Sequence, residues 1–314
     1  MALSKLSGDE QGIILGQLFN PLEPRLAVYL SSANKELRLL LTPALRQQLR
    51  ADHAEAAALC RKVGFPSCKE LREAKVVHCF GKCLSAADLT TLGTLGLVLP
   101  ALESLAIGEF SVGVGASHDG MQRLAEGLVA GALPAVRFAF FNTVYMGDAG
   151  ASAFAAALDQ GALPRLERLN LINTAIGDAA LVALAPALRR RPALELNFRC
   201  NPLGDEGLAA LVAPPLLAGA LPPPTGGLNE LKTLELSHTK VSDAGCTALA
   251  AALHSGALPA LEELMLDGIP VSAVAKVAAV CEARDTLLFA SHPEEFGFES
   301  GSESDEIEDE EGGD

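Results

Sequence analysis

The feature that most constrains the fold of this chain is an internal repeat. The segment LPRLERLNLINTAIGDAALVALAPAL begins at Leu163, and similar segments begin at Leu133, Leu228 and Leu258. Three weaker copies complete a set of seven units; they begin at Ala74, Leu99 and Pro192. A period of about 20 to 50 residues is typical of chains built as a stack of similar modules. The absence of Trp agrees with thin, repeated layers rather than one bulky core.

Each unit changes its hydrophobic period half-way along. In the unit from Leu163, apolar residues alternate up to Leu171 and recur at a helical spacing from Leu181 onward. Asp178 and Asp243 stand where the N-cap of the helix is expected, just after Gly or Ser. Each unit is therefore predicted to contain a strand, a turn and a helix.

The pattern L-x-x-L-x-L-x-x-[NT]-x-[IL]-[GS]-D, followed by an Ala/Leu stretch, resembles the leucine-rich repeat family in its longer, ribonuclease-inhibitor-like form. The resemblance covers roughly residues 70–290 and implies an α/β solenoid with a curved parallel sheet inside and helices outside. We expect a helical cap over 1–66, an array of about seven units over 67–290 with a Pro/Gly-rich insertion at 213–227, and a disordered acidic tail over 291–314.

The turn after each strand departs from the family pattern. In the family, an Asn at this position bonds the neighbouring backbone, and here only Asn201 matches fully. Thr174 and Thr239 are expected to serve in part. The other units have different residues at the position: Lys82, Phe110, Val144 and Ile269. Irregular turns are therefore expected in the outer units.

Strand alternation predicts which side chains face the inside of the curve. If the Leu positions point into the core, the residues between them face the concave side. These residues are His78, Phe80, Ala106, Phe138, Phe140, Asn142, Arg168, Asn170, Asn197, Arg199, Glu235, Ser237, Glu263, Met265 and Asp267. We predict that partner binding uses Phe80, Phe138, Phe140, Asn142, Arg168, Asn170, Asn197, Arg199, Glu235, Glu263 and Met265. Two alternatives apply to Phe138 and Phe140: the cap or a rim loop covers them, or the strand register is shifted by one residue.

Residues 10–65 interrupt the repeat and suggest short helices separated by prolines. The run LEPRLAVYLSSANKELRLLL resembles the middle of an F-box, although Leu37 replaces the usual Trp and Asn34 a usual Cys. The resemblance implies docking of a cullin-ligase adaptor through Leu22, Pro24, Leu26, Lys35 and Arg38. A helical segment that only covers the end of the array explains the same residues equally well.

Charge and composition exclude several classes of ligand. The net charge is −15, and eleven of the 39 acidic residues lie between Glu294 and the end of the chain, so nucleic acid is not expected as the main partner. The start lacks the features of a secretory signal, and no run of about eighteen apolar residues predicts a membrane span. Seven Cys without a disulfide spacing favour the cytoplasm or the nucleus.

No sequence motif predicts catalysis. The chain contains no G-x-S-x-G, no H-E-x-x-H, no P-loop and no G-x-G-x-x-G after a strand. The spacing of Cys60, Cys68, Cys79 and Cys83 fits zinc poorly, and Cys79 occupies a core position of the first unit. We therefore expect a protein that is not an enzyme and has no metal or cofactor.

The sequence favours a scaffold that binds a partner protein on its concave face. The F-box resemblance implies that this scaffold is a substrate-recognition subunit of a cullin-type ubiquitin ligase. Two alternatives stay open. An array followed by an acidic tail is similar to the Ran GTPase-activating family, for which Arg168, Asn170, Asn197 and Arg199 are the clustered candidates. The other alternative is a structural subunit of a larger assembly.

Overall fold

The computed structural model describes residues 20–33, 35, 38, 42–95, 99–110, 118–129, 133–191, 195–212 and 228–290. The predicted insertion at 213–227 and the predicted acidic tail at 291–314 lie outside these residues, as do Asn34 and Leu37 of the F-box-like run.

Helices and strands alternate from the first unit onward. The helices are α1 (Arg25–Ala33), α2 (Pro43–Val63), α3 (Cys68–Glu73), α4 (Ala86–Leu95), α5 (His118–Val129), α6 (Gly147–Asp159), α7 (Asp178–Arg189), α8 (Asp205–Val212), α9 (Asp243–His254) and α10 (Val271–Ala283). The strands are β1 (Val76–Phe80), β2 (Ser104–Gly108), β3 (Phe138–Asn142), β4 (Arg168–Asn170), β5 (Glu195–Asn197), β6 (Thr233–Glu235), β7 (Glu263–Met265) and β8 (Leu287–Phe289).

The strands form one parallel sheet in chain order, β1 to β8. Consecutive strands are joined through helices that pack side by side on one face of the sheet. Strands lie about 4.8 Å apart and packed helices about 8 to 10 Å apart, so the sheet lines the inside of the curve. The predicted α/β solenoid is confirmed. Strand β8 is an addition to the seven predicted units.

One apolar row in the sheet faces the helices and runs through the whole array. Its members are in register from strand to strand, and all are buried: Val77, Leu105, Ala139, Leu169, Leu196, Leu234 and Leu264. They belong to one continuous core with the buried faces of the helices. Because each unit covers the apolar side of its neighbour, the core grows along the stack instead of closing within one unit.

Aspartates at the start of the helices bind the next unit rather than their own helix. The N-cap residues of α7 and α9 are Gly177 and Ser242, so the prediction that Asp178 and Asp243 are N-caps was wrong by one position. Asp178 Oδ1 instead accepts hydrogen bonds from Gly204 N at 2.6 Å and Gly207 N at 2.9 Å, at the start of α8. The positive end of the α8 helix dipole also stabilises the Asp178 carboxylate at this position.

The same exchange recurs along the array. Asp148 Oδ1 accepts a hydrogen bond from Gly177 N at 2.7 Å, and Asp205 Oδ1 accepts one from Ser242 N at 2.8 Å. The Ser272 hydroxyl donates to Asp243 Oδ1 at 2.9 Å. The helix starts of neighbouring units are therefore joined by a ladder of carboxylates.

Arginines join the other ends of the helices. Arg191 follows α7, and its guanidinium donates to Leu158 O in α6 at 2.5 Å. Arg284 follows α10 and donates to Leu253 O in α9 at 2.9 Å. A cation beside the last carbonyl groups of a helix satisfies acceptors that have no partner within the helix.

Asn201 has the bridging role that the family pattern predicts. This residue is only 2% exposed. Its Oδ1 accepts from Thr174 N at 3.0 Å and Ile176 N at 3.2 Å, and its Nδ2 donates to Leu171 O at 2.6 Å. It therefore satisfies backbone groups of the preceding turn that would otherwise be buried without partners.

The N-terminal helices cover the first repeat. Leu59, Val63 and Leu71 belong to the same core as the strands. Lys62 Nζ at the end of α2 lies 2.6 Å from Asp88 Oδ2 in α4. The cap therefore packs against the array and closes the apolar side of its first unit.

We predict that Asn201→Ala lowers the free energy of unfolding by about 3 kcal/mol, because several buried backbone groups lose their partners at once. Urea denaturation followed by circular dichroism measures the change. Asn229 is exposed in a turn, and Asn229→Ala is the matched control, with an expected effect within about 0.5 kcal/mol. Equal effects of the two substitutions would contradict the bridging role.

We predict that Gly127→Ala destabilises the protein although Ala favours helices by up to about 1 kcal/mol. An added Cβ at Gly127 in α5 would lie 2.5 Å from the Cα of Gly93 in α4. The two helices must separate, at a cost of about 1 to 3 kcal/mol. Urea denaturation compares this variant with Gln122→Ala at an exposed position of α5. A stabilised Gly127→Ala protein would show that the helix contact is not tight.

Candidate functional site

The sheet face away from the helices, here called the inner face, presents three rows of side chains. The first row is Val76, Ser104, Phe138, Arg168, Glu195, Thr233, Glu263 and Leu287. The second row is His78, Ala106, Phe140, Asn170, Asn197, Glu235, Met265 and Phe289. The third row begins with Phe80, Gly108 and Asn142, which are paired in the sheet. Just beyond the ends of the later strands, backbone hydrogen bonds to the carbonyl groups of Arg199, Ser237 and Asp267 extend this row.

The rows agree with the alternation that the sequence predicts, and their role in binding stays a prediction. Strand alternation would also have placed Glu195 and Thr233 on this face, although neither was among the predicted residues. Leu287 and Phe289 were missed because β8 lacks the repeat pattern that marks the other strands.

The first three strands form an apolar trough. The inner-face residues of β2 are Ser104, Ala106 and Gly108, all small and buried. Phe80 on one side leans over Gly108, where an added Cβ would lie 2.7 Å from its ring. Phe140 on β3 forms the other wall next to Ala106. Small residues between large ones therefore give a surface lined by aromatic side chains.

Two guanidinium groups flank Phe138 at the edge of this trough. The Cζ atoms of Arg137 and Arg168 lie 5.1 Å and 5.5 Å from the centre of its ring, within the range of cation–π attraction. Arg137 donates two hydrogen bonds of 2.7 Å to Glu167, which lowers the pKa of the Glu167 carboxyl below its usual value. These contacts hold Phe138 in place.

Polar residues replace the aromatic ones from β4 to β6. Asn170 Oδ1 accepts from Ile172 N at 3.2 Å, and Asn197 Oδ1 accepts from Arg199 N at 3.0 Å. Glu235 Oε1 accepts from Ser237 N at 2.8 Å in the same way. Each side chain folds back on the end of its own strand, and the amide groups of both Asn residues also line the inner face.

A cleft of about 210 Å³ lies over these strands. It is lined by Phe140, Arg168, Asn170, Glu195, Asn197, Thr233, Glu235 and Met265. Arg168 Nη2 lies 2.5 Å from Glu195 Oε1, so this guanidinium is already ion-paired. The cleft combines apolar ends with a polar middle, which is common in binding sites.

The predicted adaptor-docking residues differ in their accessibility. Leu22 is buried in the core and holds the cap, whereas Pro24 and Leu26 are half-buried. Lys35 and Arg38 are exposed, and Arg38 donates to the carbonyl groups at the end of α1.

The described residues bring together no group of three or more His, Cys, Asp or Glu side chains that could hold a metal ion. Burial raises the pKa of the Cys60 thiol to about 11 and that of Cys79 to about 12. Both thiols therefore stay protonated near neutral pH. Among the helices that the structure describes, none is long and apolar enough to cross a membrane.

Comparison with protein families agrees with this geometry. The family model described as Leucine Rich repeat matches residues 194–212 and 228–250, which include β5, α8 and β6. These two segments are similar to leucine-rich repeats. A search of curated proteins finds no match. The two matched leucine-rich repeats are those on either side of the predicted insertion, and they contribute Asn197 and Glu235 to the inner face.

We predict that the exposed thiols of this protein react quickly with a chromogenic disulfide reagent at mildly alkaline pH. The exposed thiols are Cys83 and Cys200. Cys60, Cys79 and Cys246 are expected to react only in denaturant, because burial blocks access and raises their pKa. Fast labelling of Cys79 in the native protein, detected by peptide mass spectrometry, would contradict the burial of the β1 core position.

Proposed function

We propose that this protein is a non-enzymatic scaffold that holds a partner protein on the inner face of its leucine-rich repeats. Leucine-rich repeats support a role in protein–protein interaction. The observation that carries the proposal is the set of aromatic side chains on an open sheet face, Phe80, Phe138 and Phe140. These rings lie outside the apolar row that holds the stack together, and aromatic side chains are enriched at interface hot spots.

The predicted partner-binding residues fall into two neighbouring zones. Phe80, Phe138 and Phe140 form the walls of the trough, and Asn142 lies beside it. The polar zone contains Arg168, Asn170, Asn197, Arg199, Glu235, Glu263 and Met265. An apolar anchor next to polar groups that fix orientation is the usual arrangement of a protein interface.

We predict that Phe80→Asp reduces partner capture at least about tenfold, as expected for loss of an aromatic hot spot. The measurement is affinity purification at low salt followed by mass spectrometry, with the same bait concentrations for all variants. Phe80 and Val182 are equally exposed, 42% each, and Val182 lies on the outer helix α7. Val182→Asp is therefore the matched control.

The expected result is that proteins captured by the wild type are lost with Phe80→Asp and kept with Val182→Asp. Equal capture by all three proteins would contradict binding at the trough. Loss of partner capture with both variants would mean that the interface lies elsewhere or that the variants are destabilised. Circular dichroism of the variants distinguishes these two cases.

We also propose that the cap docks an adaptor of a cullin-type ligase, so that the scaffold presents substrates. The F-box-like sequence suggests this role, and the exposed Val28 and Tyr29 on α1 support it, since they offer apolar surface in the same segment as Lys35 and Arg38. Copurification with the adaptor tests the role. Retained copurification of the Pro24→Ala, Leu26→Asp double variant would contradict it.

The remaining alternatives are supported less well. A Ran-type GTPase activator needs side chains that are free to reach the nucleotide. Arg168 is paired with Glu195 instead, which favours the scaffold. A single-turnover GTP hydrolysis assay tests this alternative, and a constitutive complex would favour the structural-subunit role. Location in the cytoplasm or nucleus stays a prediction.

A further inference from the structure

We propose that the cleft around Glu235 receives a lysine or arginine side chain of the bound protein partner. This inference rests on the proposed scaffold function and specifies the chemistry of the partner. It starts from Glu235, a carboxylate on the inner face of β6 that is only 7% exposed.

The neighbouring units show that the charge of Glu235 is not needed for folding. Asn170, Asn197 and Glu235 occupy the same row, and each accepts a hydrogen bond from the backbone N–H two residues later. In two of the three units a neutral Asn performs this task. Glu235 therefore adds a negative charge, at a buried position, to a bond that a neutral amide makes in the two preceding units.

The charge of Glu235 has no basic counterpart in the described part of the chain. No Lys, Arg or His side chain there forms an ion pair with Glu235 or with Glu263 on the next strand. Arg168 also lines the cleft, but its guanidinium is bound to Glu195. A buried carboxylate without a counter-charge is unfavourable, so an incoming cation would be bound favourably at this position.

The shape of the cleft suits a long basic side chain. Its volume is about 210 Å³, with Phe140 at one end and Met265 at the other. The methylene groups of Lys or Arg would pack against these apolar side chains while the charged head lies at Glu235. The side-chain oxygens of Asn170 and Asn197 are held by their own strands, but both side chains border the same space.

The position of Met265 allows a direct test of binding. The chain has four Met residues, and Met121 and Met146 are buried in the core. Selective carbon-13 labelling of the Met methyl groups in the full chain therefore gives one signal in the cleft, two internal controls in the core and the signal of Met1. Met265→Leu assigns the cleft signal.

The probes are three capped tripeptides, Gly-Arg-Gly, Gly-Lys-Gly and Gly-citrulline-Gly, titrated to millimolar concentration. Citrulline has the shape of Arg without its charge. We expect a saturable shift of the Met265 signal with the Arg peptide, the Lys peptide or both, and no shift with citrulline. The Met121 and Met146 signals are expected to stay unchanged.

Glu235→Gln is the decisive variant, because Gln keeps an oxygen that can accept the Ser237 N–H bond but removes the charge. We expect its dissociation constant for the basic peptide to rise at least about fivefold. Glu206→Gln on the exposed side of α8 is the matched control and is expected to bind as the wild type does. No shift with either basic peptide, an equal shift with citrulline, or unchanged binding by Glu235→Gln would overturn the inference.

The two proposals fail in different ways. If Phe80→Asp abolishes partner capture but the basic peptides leave the Met265 signal unchanged, the scaffold function is supported. The proposal that the cleft receives a Lys or Arg side chain is then wrong. If the peptides bind through Glu235 but Phe80→Asp captures the partner normally, the cleft does bind basic side chains. The trough is then not the interface.

Discussion

Contacts between neighbouring units hold this protein together, because no unit can bury its own apolar surface. The row from Val77 to Leu264 continues through the sheet, and each member packs between the equivalents before and after it. The helix ends repeat the principle with hydrogen bonds: Asp178 binds the start of α8, and Arg191 binds the end of α6. Stability is therefore approximately a sum over adjacent pairs of units.

This form of stability leaves the inner face available for other uses. The stacking contacts lie in the core, in the turns and at the helix ends, and the three inner rows lie outside them. Phe138 is held by Arg137 and Arg168, and Glu235 is held by the backbone of its own strand. Residues on the inner face can therefore differ from unit to unit without disturbing the stack, which explains how an aromatic trough and a charged cleft occur side by side.

Within the described residues, the first unit of the array is covered by the cap, whereas the last strand has an exposed side. At the start, α2 and α3 bring Leu59, Val63 and Leu71 into the common core. At the other end, β8 pairs with β7 and presents Leu287 and Phe289 on its exposed side. The unit period does not extend to β8, so the repeat does not predict this strand. Three residues contain too little pattern to indicate a strand without a neighbour to pair with.

The sequence by itself determined the repeat, the order of strand and helix, the core positions and the face on which each strand residue lies. A period of 2 followed by a period near 3.6 specifies these features locally. Only the tertiary structure decided that Asp178 binds the next helix instead of its own, that Leu22 is buried, and that Glu235 lies in the cleft with no ion-pair partner among the described residues. The physical reason is that each depends on a contact between units, and the distance and angle between stacked units are set by packing rather than by the pattern within one repeat.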